Sequence, residues 1–252
     1  MTPAVVGRSL RLAVGTLTAV PVPAVGRVTP AVASGALLLA PLAVLPLATV
    51  VGLLVWAGGH TTLPPLAVAV VALATLAAGS RALHLDGLSD VADGLTASYD
   101  PERSLAVMKS GTAGPAGVAA VVLVLGAQAA ALATLVGGVR EAVVAGAAVC
   151  ASRAALWITC ARPVPSARPD GLGVGFTRRV PTAVAVLGWS GLAAGAWFVH
   201  PWRGPLAIGL AALVVLLLVL RAVRRFGGVT GDVFGAAIEL ALATLLLALA
   251  GT

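Results

Sequence analysis

The sequence predicts an all-α polytopic membrane protein: a bundle of about seven transmembrane helices, six to eight in all, joined by short polar loops. Hydrophobic residues make up 60% of the chain. The mean hydropathy of +1.06 is well above that of soluble globular domains. Several apolar runs reach the ~20 residues needed to cross a ~30 Å hydrocarbon core, and they recur along the whole length. We therefore expect residues 1–252 to form one integral membrane domain.

Seven apolar segments are long enough to be candidate spans. A further segment, at residues 5–20, is short, is interrupted by polar residues and is followed by Pro21 and Pro23, which favours a helix that lies in the membrane interface or re-enters it. The candidate spans lie at residues 33–57, 63–83, 116–136, 142–161, 182–199, 205–220 and 233–250.

The basic residues indicate how this bundle is oriented in the cell membrane. With the N-terminus in the cytoplasm, 13 of the 16 Lys and Arg residues fall in cytoplasmic segments, whereas Arg140 and Arg203 fall outside and Arg153 lies within a span. The positive-inside rule predicts such an excess. The basic residues are scattered and form no stripe, so the net charge of +7 indicates topology and argues against a nucleic-acid partner.

Seven of the nine acidic residues fall in three cytoplasmic segments, at residues 81–114, 162–180 and 221–232, which we expect to form the catalytic loops. The first contains the run "LHLDGLSDVADGL". Asp86, Asp90 and Asp93 are spaced i, i+4, i+7, which places them on one stripe of a helix continuing inward from the second span. Like charges on one stripe repel, and a divalent cation held by carboxylate oxygens is the simplest compensation.

Mg²⁺ suits such a site better than Zn²⁺, because no cysteine and only one histidine lie nearby. That histidine, His84, lies about 160° from Asp86 on a helical wheel, so it is a candidate base only if the segment begins as a loop. Two other interpretations of the stripe stay open. It is either a solvated acidic loop that helps to cap a helix, or the site of a cation-coupled transporter, whose acids usually lie nearer mid-bilayer.

Candidate phosphate-binding residues occur in the second segment, "ARPVPSARPDGLGVGFTRR". Arg162, Arg168 and Arg178 surround a glycine-rich turn that also carries Asp170, and backbone N–H groups of such turns bind phosphate oxygens. The alternative is a loop whose arginines only set topology. Lys109 is a further candidate phosphate contact, although "KSGTAGPAG" is not a Walker A motif because its lysine precedes the glycines.

Two charged residues are predicted inside the bundle. Glu239 lies seven residues after Asp232 on one face of the last span, about 10 Å deeper. Arg153 lies at a comparable depth on the fourth span. We expect Arg153 and Glu239 to pair, because either charge alone in hydrocarbon is costly, and the pair either contacts substrate or is purely structural.

Four stretches together resemble the cobalamin synthase family, the adenosylcobinamide-GDP ribazoletransferases. They are "HLDGLSDVADGL" from His84, "MKSGTAGPAG" from Met108, "SRAALWITCARPVPSARPDGLG" from Ser152 and "GGVTGDVFGAAIEL" from Gly227. The N-terminal "LTAVPVP" is similar to the family's opening. The resemblance covers almost the whole chain in the same order.

The resemblance implies a multi-pass enzyme of the inner membrane that completes the nucleotide loop in cobalamin biosynthesis. Its substrates would be adenosylcobinamide-GDP and α-ribazole or α-ribazole 5′-phosphate. Its products would be adenosylcobalamin or its 5′-phosphate and GMP, and its cofactor Mg²⁺. Besides the substrates and the lipid bilayer, its partners would be a second copy of the chain or other late enzymes of cobalamin synthesis.

The resemblance also implies roles for individual residues. Asp86, Asp90 and Asp93 would hold Mg²⁺ against the diphosphate, and one of them or His84 would accept the proton of the attacking ribose hydroxyl. Asp232 would complete the metal site or bind ribose. The other candidate substrate contacts are Lys109, Arg153, Arg162, Arg168, Asp170, Arg178 and Glu239.

Two rival functions are compatible with an acidic motif in a membrane protein. CDP-alcohol phosphotransferases also expel a nucleoside monophosphate at a membrane edge, but their D-G-x-x-A-R pattern is missing here, since Leu88, Ser89 and Asp90 follow Asp86-Gly87. A cation-coupled transporter would be built from similar spans, but the sequence shows no convincing repeat and no interrupted helix pair at matching positions.

Overall fold

The computed structural model of the protein describes residues 2–250, apart from the side chain of Leu172. Within these residues the chain forms helices and two isolated parallel bridges, and no strand, so the all-α prediction is confirmed. The helices are α1 (Pro3–Leu17), α2 (Pro30–Leu38), α3 (Ala40–Ala43), α4 (Leu45–Gly58), α5 (Pro65–Gly79), α6 (Leu83–Ala97), α7 (Pro101–Met108), α8 (Pro115–Ala133), α9 (Val139–Ser152), α10 (Ala155–Thr159), α11 (Leu172–Phe176), α12 (Thr182–Val199), α13 (Arg203–Phe226) and α14 (Gly231–Leu249).

Five helical stretches of the described chain are long and apolar enough to cross a membrane: α8, α9 with α10, α12, α13 and α14. A sixth candidate is the pair α5 and α6, which is bent by 91°. The prediction of a polytopic membrane protein is therefore confirmed, with five or six candidate spans where the sequence indicated about seven.

The segment predicted as the first span, residues 33–57, is divided among α2, α3 and α4. The breaks fall at Leu39 and Val44, and a proline stands in the first turn of each following helix, Pro41 in α3 and Pro46 in α4. Proline lacks the N–H that continues the hydrogen-bond ladder, and its ring clashes with the preceding turn. These prolines explain why one apolar run of 25 residues does not form one straight helix.

The sequence predicted that the aspartate-bearing helix continues inward from the second span. In the structure it does not. Arg81 and Ala82 adopt positive φ angles of 58° and 53° between α5 and α6, and the chain turns by 91° there. The Arg81 guanidinium donates a hydrogen bond of 2.8 Å to the carbonyl of Gly15 in α1, which holds the bend against the N-terminal helix. The sharp turn directs α6 across the bundle.

Helix α14 is the centre of the bundle. In its apolar window 67% of the residues are buried, and α6, α8, α9, α10 and α13 pack around it, whereas in α12 only 11% are buried. Helices α8 and α14 begin, and α13 ends, at the same end of the bundle, where they meet α6. We call this the aspartate end, after Asp86, Asp90, Asp93 and Asp232. The opposite end, marked by Arg140, His200 and Arg203, is the distal end.

Candidate active site

Three carboxylates form an acidic cluster where α6 crosses the start of α14. Asp86 is exposed, and Asp90 and Asp232 are half-buried. The two helices are in backbone contact, because a Cβ on Gly87 would lie 2.6 Å from the carbonyl oxygen of Asp232. A glycine at position 87 therefore lets the first turn of α14 approach the acidic face of α6.

In the absence of a bound cation, repulsion disfavours a state in which all three carboxylates of the cluster are charged. Asp90 lies on α6 at the aspartate end, beyond the 91° turn that follows α5, and burial raises the pKa of its carboxyl to about 6. Repulsion from Asp86, Asp232 and Asp93 adds to the increase, and Arg168 opposes it. A carboxyl whose pKa is raised by burial and by neighbouring carboxylates is characteristic of functional sites and of sites that receive a cation.

Asp93 has a different role from the one its spacing predicts. Its buried carboxylate accepts backbone N–H groups from Gly114 at 2.7 Å and from Gly117 at 2.8 Å, so it caps the first turn of α8. A Cβ on Gly117 would collide with the oxygens of Asp93 and Ser89. Gly114 and Gly117 of "GTAGPAG" thus supply close-packed N–H donors to Asp93. Asp93 therefore anchors the connection between α6 and α8.

The predicted metal site of Asp86, Asp90 and Asp93 is not assembled in this structure. Among residues 2–250, no group of three or more His, Cys, Asp or Glu side chains is arranged to hold a metal ion. The physical reason is that Asp93 is committed to two amide donors, whereas Asp86 and Asp90 lie with Asp232. Helical spacing predicted three acids on one stripe, but it could not predict that Gly114 and Gly117 would donate hydrogen bonds to the third, Asp93.

We predict that Asp93→Asn lowers stability through this anchor. The amide NH₂ group of asparagine would face one of the two backbone donors, and loss of a hydrogen bond to a charged acceptor costs about 1.5–3 kcal/mol of unfolding free energy. Thermal unfolding in detergent and limited proteolysis of residues 98–114 measure the effect. Glu102→Gln, at an exposed acid of α7, is the control. Unchanged melting and unchanged cleavage would contradict the anchoring role.

His84 lies on α6 one turn before Gly87, and its side chain faces Glu239 of α14. Helix α6 is regular from Leu83 onward, and the His84 ring is 3% exposed, with Nδ1 at 3.8 Å from Oε1 of Glu239. Its Cα packs 3.0 Å from where a Cβ on Gly235 would stand. The buried position next to Glu239 favours a structural role for His84, and its role as the base that accepts the hydroxyl proton stays a prediction.

The expected direct ion pair between Arg153 and Glu239 is absent from the described residues. Glu239 instead accepts a hydrogen bond of 2.9 Å from the amide of Gln128. Arg153 is 0% exposed and donates to the carbonyl of Val149 and to the hydroxyl of Ser152. The two charges attract each other at longer range. Because both are buried among packed helices, their geometry favours the structural one of the two predicted roles, and substrate contact stays a prediction.

Two loops meet over the acidic cluster. Arg168, in the segment between α10 and α12, donates a hydrogen bond of 2.7 Å to the carbonyl of Leu105 in α7. Nearby, Lys109 pairs with Asp170 at 3.7 Å, and both side chains are exposed. The sequence-predicted residues Lys109, Arg168 and Asp170 are thus brought together at the aspartate end. Arg162 and Arg178, by contrast, have exposed side chains on the same segment.

Sequence reasoning missed Arg225, which it treated as one of several topology-setting arginines. The side chain is buried at the end of α13, donates to the carbonyls of Leu95 and Ser98, and lies over the ring of Tyr99 at 4.3 Å. It therefore fixes the last turn of α6. The helical period was the available signal, because Arg225 follows the buried Ala222 by three residues on α13.

A small cavity opens beside the acidic cluster. Its volume is about 110 Å³, and most of its lining is apolar, with Leu83, Phe176 and Ile238 among the contributing side chains. Asp232 and His84 also line it. The cavity therefore combines an apolar surface with a carboxylate that belongs to the acidic cluster.

Comparisons with known proteins agree on one family. The family model described as cobalamin-5-phosphate synthase matches residues 9–250. A relative from a Nocardioides species is 58% identical over 94% of this chain and 96% of its own length. Relatives from Pseudomonas aeruginosa and Frankia casuarinae are 37% and 36% identical, over 96% and 87% of this chain and 98% and 86% of their own lengths. All three are described as adenosylcobinamide-GDP ribazoletransferases. No solved structure matches the chain. The chain belongs to the cobalamin-5-phosphate synthase family.

Proposed function

We propose that this enzyme transfers the cobinamide-phosphoryl group of adenosylcobinamide-GDP to α-ribazole or α-ribazole 5′-phosphate, and so closes the nucleotide loop of cobalamin. Identity of 58% over 94% of the chain to a ribazoletransferase supports the reaction. The structural observation that carries it is the cluster of Asp86, Asp90 and Asp232 at the aspartate end, with Arg168 beside it. Such a cluster suits a reaction in which the negative charge of a diphosphate must be neutralised.

The reaction is an in-line phosphoryl transfer. A ribose hydroxyl of the acceptor attacks the phosphorus nearest the corrinoid, a new P–O bond forms, and the P–O bond to GMP breaks. GMP leaves with the bonding electrons, and the hydroxyl proton passes to a base. Catalysis of this kind depends on positioning and on neutralising the charge of the diphosphate.

The residues present fit Mg²⁺ when it is bound together with substrate. Asp86 and Asp90 lie one helical turn apart, and proteins commonly hold Mg²⁺ through one or two carboxylates, with waters and substrate phosphates completing the octahedron. The Asp90 carboxylate makes no hydrogen bond or ion pair to other described residues, so its oxygens are available. A bound Mg²⁺ would supply neutralisation of the diphosphate charge.

Asp232 is the residue we assign to the hydroxyl proton. Its Oδ2 accepts a hydrogen bond of 3.0 Å from the Thr230 hydroxyl, which leaves Oδ1 to accept the proton of the attacking hydroxyl. An acceptor whose base lies in the cavity lined by Phe176 and Leu83 would bring its ribose to this carboxylate. Apolar walls with one polar group suit a planar base joined to a sugar.

The two loops over the cluster are assigned to the guanine nucleotide. Arg168 lies between the acidic cluster and α7, where it neutralises charge on the leaving GMP phosphate. The exposed pair of Lys109 and Asp170 lies nearby, and Arg162 and Arg178 are further exposed candidates for contact with the nucleotide. We place the aspartate end in the cytoplasm, because 13 of the 16 basic residues fall on that side when the N-terminus is cytoplasmic.

An assay of membranes that contain the chain tests this function. With adenosylcobinamide-GDP, α-ribazole 5′-phosphate or α-ribazole, and Mg²⁺, we expect GMP and a cobalamin-type product in equal amounts. Omitting the acceptor should abolish both, and chelating Mg²⁺ should stop the reaction reversibly. Absence of GMP with either acceptor, or flux of a labelled solute without nucleotide release, would contradict the proposal.

A further inference from the structure

A second, larger cavity lies far from the aspartate end. It is a groove of about 890 Å³ between α4 and α9 on one side and α12 on the other, with the first turns of α13 and the last turns of α14 behind it. We call it the leaflet groove. Its lining is almost entirely apolar, and exposed residues such as Leu53 and Val143, 55% and 61% exposed, stand at its open side. The groove therefore faces the surrounding bilayer, and an apolar groove of this kind does not hold water.

The length of the leaflet groove matches one leaflet of a membrane. At ~1.5 Å per residue it extends about 14 Å along α12, from Gly191 to His200, and about 18 Å along α9, from Val139 to Ala151. These lengths are about half of a ~30 Å hydrocarbon core. A spanning helix of a second chain would need the full thickness. An acyl chain of one leaflet fits the length that is present.

The distal end of the groove carries positive charge. His200 lines the groove, and the Arg140 guanidinium lies 3.1 Å from its Nδ1 and donates to the carbonyl of Val199 at 2.8 Å. Arg203 also acts electrostatically on His200, and Glu141 is the one acid of residues 2–250 that does so. Two guanidinium groups against one carboxylate leave a net positive mouth, at the depth where a phospholipid phosphate would lie.

Tryptophans near the mouth support this depth. Trp56 lines the groove and packs edge-on against His60, and Trp202 is 63% exposed next to Arg203. Tryptophan prefers the membrane–water interface. The mouth of the groove therefore lies at headgroup level, and the apolar part lies in the hydrocarbon of the distal leaflet.

We propose that the leaflet groove binds an anionic phospholipid, with an acyl chain in the groove and the phosphate between Arg140 and Arg203. The lipid fills the space between α12 and the rest of the bundle and so holds this sparsely packed helix in place. The site is separate from the active site, since α13 runs for 24 residues, about 36 Å, from Arg203 to the aspartate end.

The groove offers a matched pair of variants. Gly195 lines it, and apart from its own helix backbone no atom of the described residues lies within 4 Å of a Cβ placed there, so Gly195→Leu extends into the groove without an initial clash. Gly126, on the exposed face of α8, is equally unobstructed and lies outside the groove, so Gly126→Leu is its control. For the charged mouth, Arg140→Gln and Arg203→Gln are compared with Arg221→Gln, an exposed arginine near the other end of α13.

Native mass spectrometry and thermal unfolding of the full-length protein, titrated with phosphatidylglycerol or phosphatidylcholine, test the proposal. We expect one retained phosphatidylglycerol per chain, at least about tenfold preference over phosphatidylcholine, and a higher melting temperature with phosphatidylglycerol. Gly195→Leu should lose retention, and the Arg140→Gln/Arg203→Gln double variant should lose the preference. Gly126→Leu and Arg221→Gln should behave as the parent chain.

Three results would overturn the proposal. The first is equal binding of the two lipids by the parent chain. The second is unchanged lipid retention in a folded Gly195→Leu variant, or unchanged preference in the arginine double variant if Gly195→Leu does not fold. The third is a chain dimer that Gly195→Leu dissociates, which would identify a second copy as the occupant.

Discussion

The Asp90→Asn variant is expected to release GMP more than about 100-fold more slowly than the parent chain while remaining folded. Even groups that only support metal ligands cost about 10- to 100-fold when removed, and Asp90 is assigned to the ion itself. Asparagine keeps the size of the side chain, and the Asp90 carboxylate makes no hydrogen bond to other described residues that the change would break. Asp86→Asn is expected to behave in the same way.

The melting temperature distinguishes a loss of catalysis in Asp90→Asn from a loss of folding. Burial and repulsion by neighbouring carboxylates raise the pKa of Asp90 to about 6, so removing its charge relieves strain on the fold. We expect Asp90→Asn to melt at or above the temperature of the parent chain, measured in the same detergent. Glu102→Gln serves as the control for an acid at the same end of the bundle. If both Asp86→Asn and Asp90→Asn kept full activity, the assignment of the acidic cluster would be wrong.

Arg153→Met is expected to have the largest effect on stability, about 3–5 kcal/mol of unfolding free energy. The change leaves the buried Glu239 carboxylate without a cation nearby, and an uncompensated charge inside a membrane protein is strongly destabilising. It also removes the hydrogen bonds of the guanidinium to Val149 and Ser152. Thermal unfolding in detergent measures the loss.

A second substitution tests the cause. Adding Glu239→Gln removes the stranded charge and keeps a side chain that can hydrogen-bond to Gln128, so the double variant should regain part of the lost stability. Arg221→Met, at an exposed position, should melt as the parent chain does. Parent-like melting of Arg153→Met, or a double variant no more stable than Arg153→Met alone, would refute the electrostatic account.

Much of the bundle was predictable because apolar length and local spacing determine it. The span predicted at residues 182–199 coincides with α12, and the last predicted span differs from α14 by two residues at its start and one at its end. The sequence also contains the signal for the division of residues 33–57 into three helices, because Pro41 and Pro46 lie inside the apolar run.

Other features depend on contacts that no local pattern contains. The turn between α5 and α6 uses positive φ angles at Arg81 and Ala82, and neither residue type signals a left-handed conformation. The hydrogen bonds of Asp93 could not be foreseen because its partners, Gly114 and Gly117, lie 21 and 24 residues away. The acidic cluster was found from spacing, but its third member, Asp232, joins it only because α6 crosses α14 at Gly87.

Binding of Mn²⁺ in place of Mg²⁺, followed by electron paramagnetic resonance, tests the central claim most directly. In the presence of adenosylcobinamide-GDP we expect the parent chain and Glu102→Gln to bind Mn²⁺, and excess Mg²⁺ to displace it. The Asp86→Asn/Asp90→Asn double variant, folded by its melting curve, should lose this binding. Parent-like Mn²⁺ affinity in that double variant would show that the aspartates do not hold the ion.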